Sequence, residues 1–228
     1  MATKFGRELY VRVKTARGRR GSSTRWLQRQ LNDPYVAAAR GAGYRSRAAF
    51  KLIEMDDRYH FLKRGARVVD LGAAPGSWTQ VAVVRVQAGG RGAGSGFVLA
   101  VDLQAMAEMA GAQVLSLDMR SSEAPEIIKA ALGGPVDVVL SDMAAPTTGH
   151  AATDHLRIMD LCETAFALAC DILRPGGAFL AKVRRGGSEG ALLAEMKQRF
   201  REVRHVKPKA SRKESAEAYV LALGFKGA

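Results

Sequence analysis

A chain of 228 residues that is 47% hydrophobic can build one α/β domain, or one domain with an arm. No apolar run nears the ~20 residues that span a bilayer, and the basic start lacks the apolar stretch of a secretory signal, so a cytoplasmic protein is expected. The net charge of +13 is uneven: residues 1–50 hold twelve Lys and Arg against two acids, and "RHVKPKASRK" (Arg204–Lys213) holds five against none, which points to a polyanion partner and not to a membrane.

Residues 1–22, rich in Arg and Gly, read as a flexible basic arm, and 23–228 as one domain. "SSTRWLQRQLND" (Ser22–Asp33) reads as a short helix with Trp26, Leu27 and Leu31 on one side. "SRAAFKLIEMDDRYHFL" (Ser46–Leu62) is a stronger amphipathic helix, with Ser46 as N-cap and Phe50, Leu52 and Ile53 inward. "ARVVDLG" is the first strand and "SWTQVAVVRVQ" the helix after it; the glycine-rich loop "GGRGAGSG" has no assigned role. "FVLAVDL" and "AQVLSLDM" are the second and third strands, "EAPEIIKAAL" a helix, and "VDVVLSDM" the fourth strand. A long helix, Asp154–Leu173, is stopped by "RPGG". Its Cys162 and Cys170 form neither a disulfide framework nor a zinc pattern, and His60, His150, His155 and His205 lack metal spacing, so no metal is expected. "AFLAKV" (Ala178–Val183) is the fifth strand, "EGALLAEMKQRF" a helix, and "EVRHVKP" and "AEAYVLALGF" the last two strands.

Strands alternating with helices predict a Rossmann-like α/β fold: a seven-stranded, mostly parallel sheet with helices on both faces. The last two strands have a short connection and should pair antiparallel at one edge. Ligands of such sheets bind beyond the carboxyl ends of the strands. Asp70, Asp102, Asp118 and Asp142 each close one of four successive apolar strands, and so are expected on one rim.

The turn after the first strand, "GAAPGSW", limits the ligand. It has Gly72 and Gly76 but no glycine between them, and Pro75 lacks an N–H that a phosphate would use. A dinucleotide and a P-loop nucleotide therefore fit poorly. S-adenosylmethionine (SAM) has no phosphate and carries positive charge, which carboxylates favour. Asp102 can accept from the ribose hydroxyls and Asp118 from the adenine amino group, with the Gly72–Gly76 backbone along the methionine part.

"SRAAFKL", "VVDLGAAPGSW", "SDMAAP", "LAKV" and "SAEAYVLALG", in that order, resemble the FtsJ/RrmJ-type RNA 2′-O-methyltransferases from about Ser22 onward. The resemblance implies a catalytic set of Lys51, Asp142, Lys182 and Glu217. It implies 2′-O-methylation of a uridine ribose in the A loop of 23S rRNA, on the large ribosomal subunit; a monomer is expected. It also moves Trp78, which spacing alone makes a packing residue, towards the cofactor pocket. In this scheme Lys182 receives the 2′-hydroxyl proton or meets the developing alkoxide, Lys51 disfavours its charged form by like-charge repulsion, and Asp142 and Glu217 brace the two amines. The basic arm and Arg204–Lys213 would grip rRNA phosphates. Ser77 stands where the family commonly has glycine, and "SDMAAPTTGH" lacks the asparagine that often follows the proline. Two alternatives stay open: a tRNA 2′-O-methyltransferase of the same family, and an RNA-binding ribosome assembly factor without catalysis.

Overall fold

Near-continuous Val and Leu runs make strands that must be covered on both faces. The computed structural model describes residues 11–15, 18, 21–90, 92, 94–146, 148–184, 190–212 and 215–227. The elements run α1 (Gly21–Leu31), α2 (Pro34–Gly41), α3 (Ala48–Tyr59), β1 (Arg67–Leu71), α4 (Ser77–Val86), β2 (Phe97–Asp102), β3 (Gln113–Ser116), α5 (Ala124–Leu132), β4 (Val136–Ser141), α6 (Ala151–Ile172), β5 (Leu173–Arg184), α7 (Gly190–Arg199), β6 (Phe200–Val206) and β7 (Glu217–Phe225). They form a seven-stranded sheet in the order β3-β2-β1-β4-β5-β7-β6. Strands β1 to β5 pair parallel, while β7 is antiparallel to both β5 and β6. The mostly parallel sheet with antiparallel pairing at one edge is as expected; the antiparallel strand itself lies one place in from that edge.

Period-two alternation sorts the strand residues into two cores. Val69 and Leu71 of β1 and Phe179, Ala181 and Val183 of β5 pack with α5, α6 and α7. Val68, Leu180, Tyr219 and Leu221 pack with Leu52 and Met55 of α3 and Trp78 and Val81 of α4. Cys162 is buried in the first of these cores.

Four local readings are corrected. The 22–33 segment ends earlier, at Leu31, and Asp33 caps a second helix, α2: its side chain accepts from Tyr35 N at 3.0 Å and Pro34 opens the helix. Helix α3 begins at Ala48 with Arg47 in the capping place, although Ser46 Oγ still accepts from Ala48 N at 3.2 Å. Its buried face is Ala49, Leu52, Met55 and Asp56, with Phe50 and Ile53 only half-buried. "RPGG" does not separate helix from strand: Leu173 turns extended directly after α6 and pairs with Val136, and the register shifts before Ala178 pairs with Val138.

Of the basic arm read over 1–22, residues 1–10, 16, 17, 19 and 20 lie outside the described residues. Val11 and Val13 are tied to α1, their N–H groups donating to Asn32 Oδ1 at 2.8 Å and Gln28 Oε1 at 3.0 Å.

Candidate active site

The pairing of β5 with β7 sets Lys182 opposite Tyr219 and Arg184 opposite Glu217. Residues two apart on a strand share a face, so Tyr219 and Glu217 turn together towards α3, which supplies Lys51. Lys182 Nζ pairs with Asp142 Oδ1 at 2.9 Å and donates to the Asp142 carbonyl at 2.7 Å. Lys51 Nζ pairs with Glu217 Oε1 at 2.7 Å. Tyr219 joins the pairs: its hydroxyl accepts from Lys51 Nζ at 3.1 Å and donates to Asp142 Oδ1 at 2.8 Å. The hydrogen bond from Tyr219 to Asp142 therefore links the two ion pairs, Lys51 standing on the phenol and Lys182 on the carboxylate.

Burial alone would push the Asp142 carboxyl up. The charges of Lys182 and Lys51, with hydrogen bonds from Lys182 and Tyr219, outweigh it and hold the group below the usual carboxylate value. Glu217 behaves alike: burial raises it, and Lys51 above all lowers it further. Burial, followed by the two carboxylates, lifts Tyr219 well above the ordinary phenol value. The cluster is thus two carboxylates, two amines and a phenol that keeps its proton. Ser211, itself buried, adds a hydrogen bond of 2.8 Å from Oγ to Glu217 Oε1.

A cavity of about 580 Å³ opens beside this cluster, with Asp142 on its wall. Gly72, Ala74, Asp102 and Asp118 also line it. It carries four carboxylates (Asp102, Asp118, Asp142, Asp160) against Arg120 and Arg157. Asp102 holds the turn: its Oδ2 accepts from Ala74 N at 2.9 Å and its Oδ1 from Gln104 N at 2.7 Å. A carboxylate oxygen has two lone pairs, so acceptor capacity remains for ligand hydroxyls. Hydrogen bonds from Arg120, backbone first, keep Asp118 below its usual value and hence charged. A net-negative cavity of this size suits a cationic, hydroxyl-bearing small molecule. Gly72 is required by packing: at φ +73° its missing Cβ would stand 2.7 Å from Met143 Cγ and 2.8 Å from Met143 N.

The pattern of the FtsJ-like methyltransferases matches residues 44–225. The chain belongs to this family. It is 64% identical to the ribosomal RNA large subunit methyltransferase E of Parvibaculum lavamentivorans, over 99% of this chain and 90% of that one. It is 57% identical to the protein of the same name from Bradyrhizobium diazoefficiens, over 100% of this chain and 98% of that one. A crystal structure described as a ribosomal RNA methyltransferase from Plasmodium falciparum superposes with a TM-score of 0.71 at 29% identity, covering 81% of this chain and 100% of that chain.

Within this FtsJ-like domain, three residues read as cofactor contacts lie elsewhere. Asp70 is fully buried in β1, where its Oδ2 accepts from Thr79 Oγ1 at 2.7 Å; it closes off the base of the turn and is not on the rim. Gly76, at φ +106°, caps α4; a Cβ there would meet Arg45 NH1 at 2.6 Å, and the residue does not line the cavity. Trp78 is buried, donates from its indole N–H to Ala48 O at 2.9 Å and packs on the Tyr219 ring at 5.6 Å. It supports the cluster from below without lining the cavity.

Two residues that organise the FtsJ-like site escaped the sequence reading. Arg45 ties the glycine turn to the 104–109 loop through Pro75 O at 2.9 Å, Ala107 O at 3.1 Å and Glu108 O at 3.1 Å. Nothing in the pattern around it marks that role. Tyr219 did carry a signal, because it stands two residues after Glu217 on a strand.

The run Arg204–Lys213 divides. Arg204 pairs with Glu202 and lies over the Tyr59 ring, and Lys207 Nζ donates to Ser215 O at 2.6 Å. Lys213 is outside the described residues.

Asp70 gives a stability prediction. Burial, together with the charges of Asp142 and Asp102 and against the Thr79 hydrogen bond, pushes its carboxyl from 3.8 up to about 7. A raised acid binds more protons folded than unfolded, so stability falls as pH rises from about 4 to 7. Asp70→Asn keeps an acceptor for Thr79 and removes the titration. Urea unfolding should therefore show a drop in stability between pH 5 and pH 8 that is smaller by roughly 3 kcal/mol than in wild type. An unchanged drop would show that Asp70 does not titrate in this window.

Proposed function

We propose that this methyltransferase transfers a methyl group from SAM to the ribose 2′-hydroxyl of a uridine in the A loop of 23S rRNA, on the large ribosomal subunit. The observation that carries the reading is the linkage of the Lys51–Glu217 and Lys182–Asp142 pairs through Tyr219 at the edge of an acidic cavity. Relatives that match the chain nearly end to end bear the name ribosomal RNA large subunit methyltransferase E.

The acidic cavity fits SAM: Asp102 and Asp118 would accept from its hydroxyl and amino groups, and Asp142 would lie near its positive charge. Bound there, SAM supplies a methyl group already activated on a sulfonium. The chain's residues do the rest. A 2′-hydroxyl is a weak nucleophile, so a group beside it must take its proton or meet the negative charge as it develops. Lys182 performs that task. Asp142 aims Lys182 through two contacts, one from the carboxylate and one from the backbone. Glu217 and Tyr219 hold Lys51 next to it, so that the amines stay close despite their repulsion. Much of the acceleration comes from fixing both reactants in line.

Among the described residues no helix is long and apolar enough to cross a membrane. With an rRNA substrate, the enzyme would work in the cytoplasm, as a monomer on the large subunit. The test is transfer of labelled methyl from SAM to large subunits and to tRNA, followed by mapping of 2′-O-methyl groups. Label at one A-loop ribose of 23S rRNA is the expected result. Label in tRNA alone would replace this reading by the tRNA enzyme, and no label at all by the assembly factor.

A further inference from the structure

Helix α3 carries three charged residues on one face. Arg47 at its cap, Lys51 and Glu54 are spaced by four and by three, so they stand in a row along the helix. The two that flank Lys51 hold one residue of the facing turn. Glu54 Oε2 accepts from Ala210 N at 3.2 Å, and Arg47 NH2 donates to Ala210 O. Both flanking side chains are themselves braced: the Tyr35 hydroxyl donates to Glu54 Oε1 at 3.1 Å, and Arg47 pairs with Asp33. Ala210 is fully buried, so its N–H and C=O must find partners within the protein, and α3 supplies both.

The turn so held delivers Ser211. Its N–H donates to Pro208 O at 2.9 Å, which closes the turn, and its buried hydroxyl donates to Glu217 Oε1 at 2.8 Å. The same Oε1 meets Lys51 Nζ at 2.7 Å. A ring therefore closes: from α3 through Glu54 and Arg47 to Ala210, across Ser211 to Glu217, and back to α3 at Lys51. An ion pair between two long side chains is a loose constraint, because both can rotate and keep the contact. A second, neutral donor on the same carboxylate oxygen removes that freedom. A serine hydroxyl supplies it without adding charge beside the two amines.

We propose that Ser211 is a positioning residue for methyl transfer, seated by Glu54 and Arg47 and acting through Glu217 to fix the amine of Lys51. The proposal rests on the ribose-methyltransferase reading and adds to it the residues that keep the second amine in place. Ser211 and Glu54 act through Glu217 and not on the substrate.

The test is a double-mutant cycle on the full chain, read as methyl transfer to large ribosomal subunits. Ser211→Ala, Glu217→Ala and the double variant are compared with wild type. Ser211→Ala should lower kcat by about 10-fold, as expected for one hydrogen bond to a charged group, with KM for RNA and SAM affinity within about threefold of wild type. On the Glu217→Ala background, where the hydroxyl has lost its acceptor, the same change should alter kcat by less than about twofold. A role confined to folding would give the same factor on both backgrounds. Glu54 supplies a second arm. Glu54→Ala should lower kcat by about fivefold, and Glu54→Gln, which keeps an acceptor for Ala210 N, should restore it to within about twofold of wild type. This arm decides the matter if thermal scans show Ser211→Ala to be poorly folded. Wild-type kcat in Ser211→Ala, or equal factors on the two backgrounds, would overturn the proposal. So would a raised KM for RNA at unchanged kcat, which would make Ser211 a substrate contact. Equal losses in Glu54→Ala and Glu54→Gln would overturn the seating by Glu54. Failure of the underlying reading looks different: wild type would then transfer no methyl to the subunits, whereas failure of this inference leaves wild type active with Ser211→Ala its equal.

Discussion

Replacing Lys182 with methionine should lower the rate of methyl transfer by about 10³-fold while SAM affinity stays within about threefold of wild type. Methionine keeps the unbranched bulk of the side chain on the β5 face, so packing is nearly preserved. What is lost is the nitrogen, which spans the Asp142 carboxylate at 2.9 Å and the Asp142 carbonyl at 2.7 Å. Asp142 keeps the Tyr219 hydrogen bond of 2.8 Å and the nearby charge of Lys51. Single-turnover transfer and calorimetric SAM binding separate the two effects. If both fall by the same factor, Lys182 is part of the cofactor's wall and not the group that meets the 2′-oxygen.

Asp142→Asn should break both properties at once. The carboxylate faces the cavity and also organises Lys182 and Tyr219, so SAM affinity should fall about 10-fold and transfer at least about 100-fold. Stability should fall too. The pair is largely buried, with side chains 11% and 17% exposed, and removing one partner strands the other charge. Such a loss costs about 3 kcal/mol, or roughly 6–12 °C in Tm for a domain of this size. The sign with pH follows from the depressed carboxyl. Its stabilisation is complete above the ordinary value of 3.8 and is lost as acid protonates the folded group below it. The variant should lack that part of the acid limb in thermal scans. A variant as stable as wild type, with normal SAM binding, would leave Asp142 without the double role.

Much of this was legible in the chain. Runs such as "VVDLG" and "VDVVLSD" announce strands because both faces of a parallel sheet are buried, and that burial is visible as composition. Asp102 and Asp118 were readable as cavity acids because a position at or just after a strand's carboxyl end is a local property. Asp70 was misread for the same reason. In register it lies opposite Ala100, two residues inward of Asp102, so it sits inside the sheet where its neighbour reaches the rim. Helix α2 was missed although "DP" marked its start, because its eight residues are too few to display a period.

By itself the sequence determined the alternation of strands and helices apart from α2, and it singled out Lys51, Asp142, Lys182 and Glu217, which the structure brings together, and Asp102, Asp118 and Asp142, which line one cavity, since these depend on local pattern and on motif order. Only the tertiary structure decided that Tyr219 joins the two ion pairs, that Trp78 lies beneath them and that α3 grips the backbone of Ala210. Those relations come from the β5–β7 register and from α3 packed across it, contacts between segments 33 to 168 residues apart, for which no local period leaves a trace.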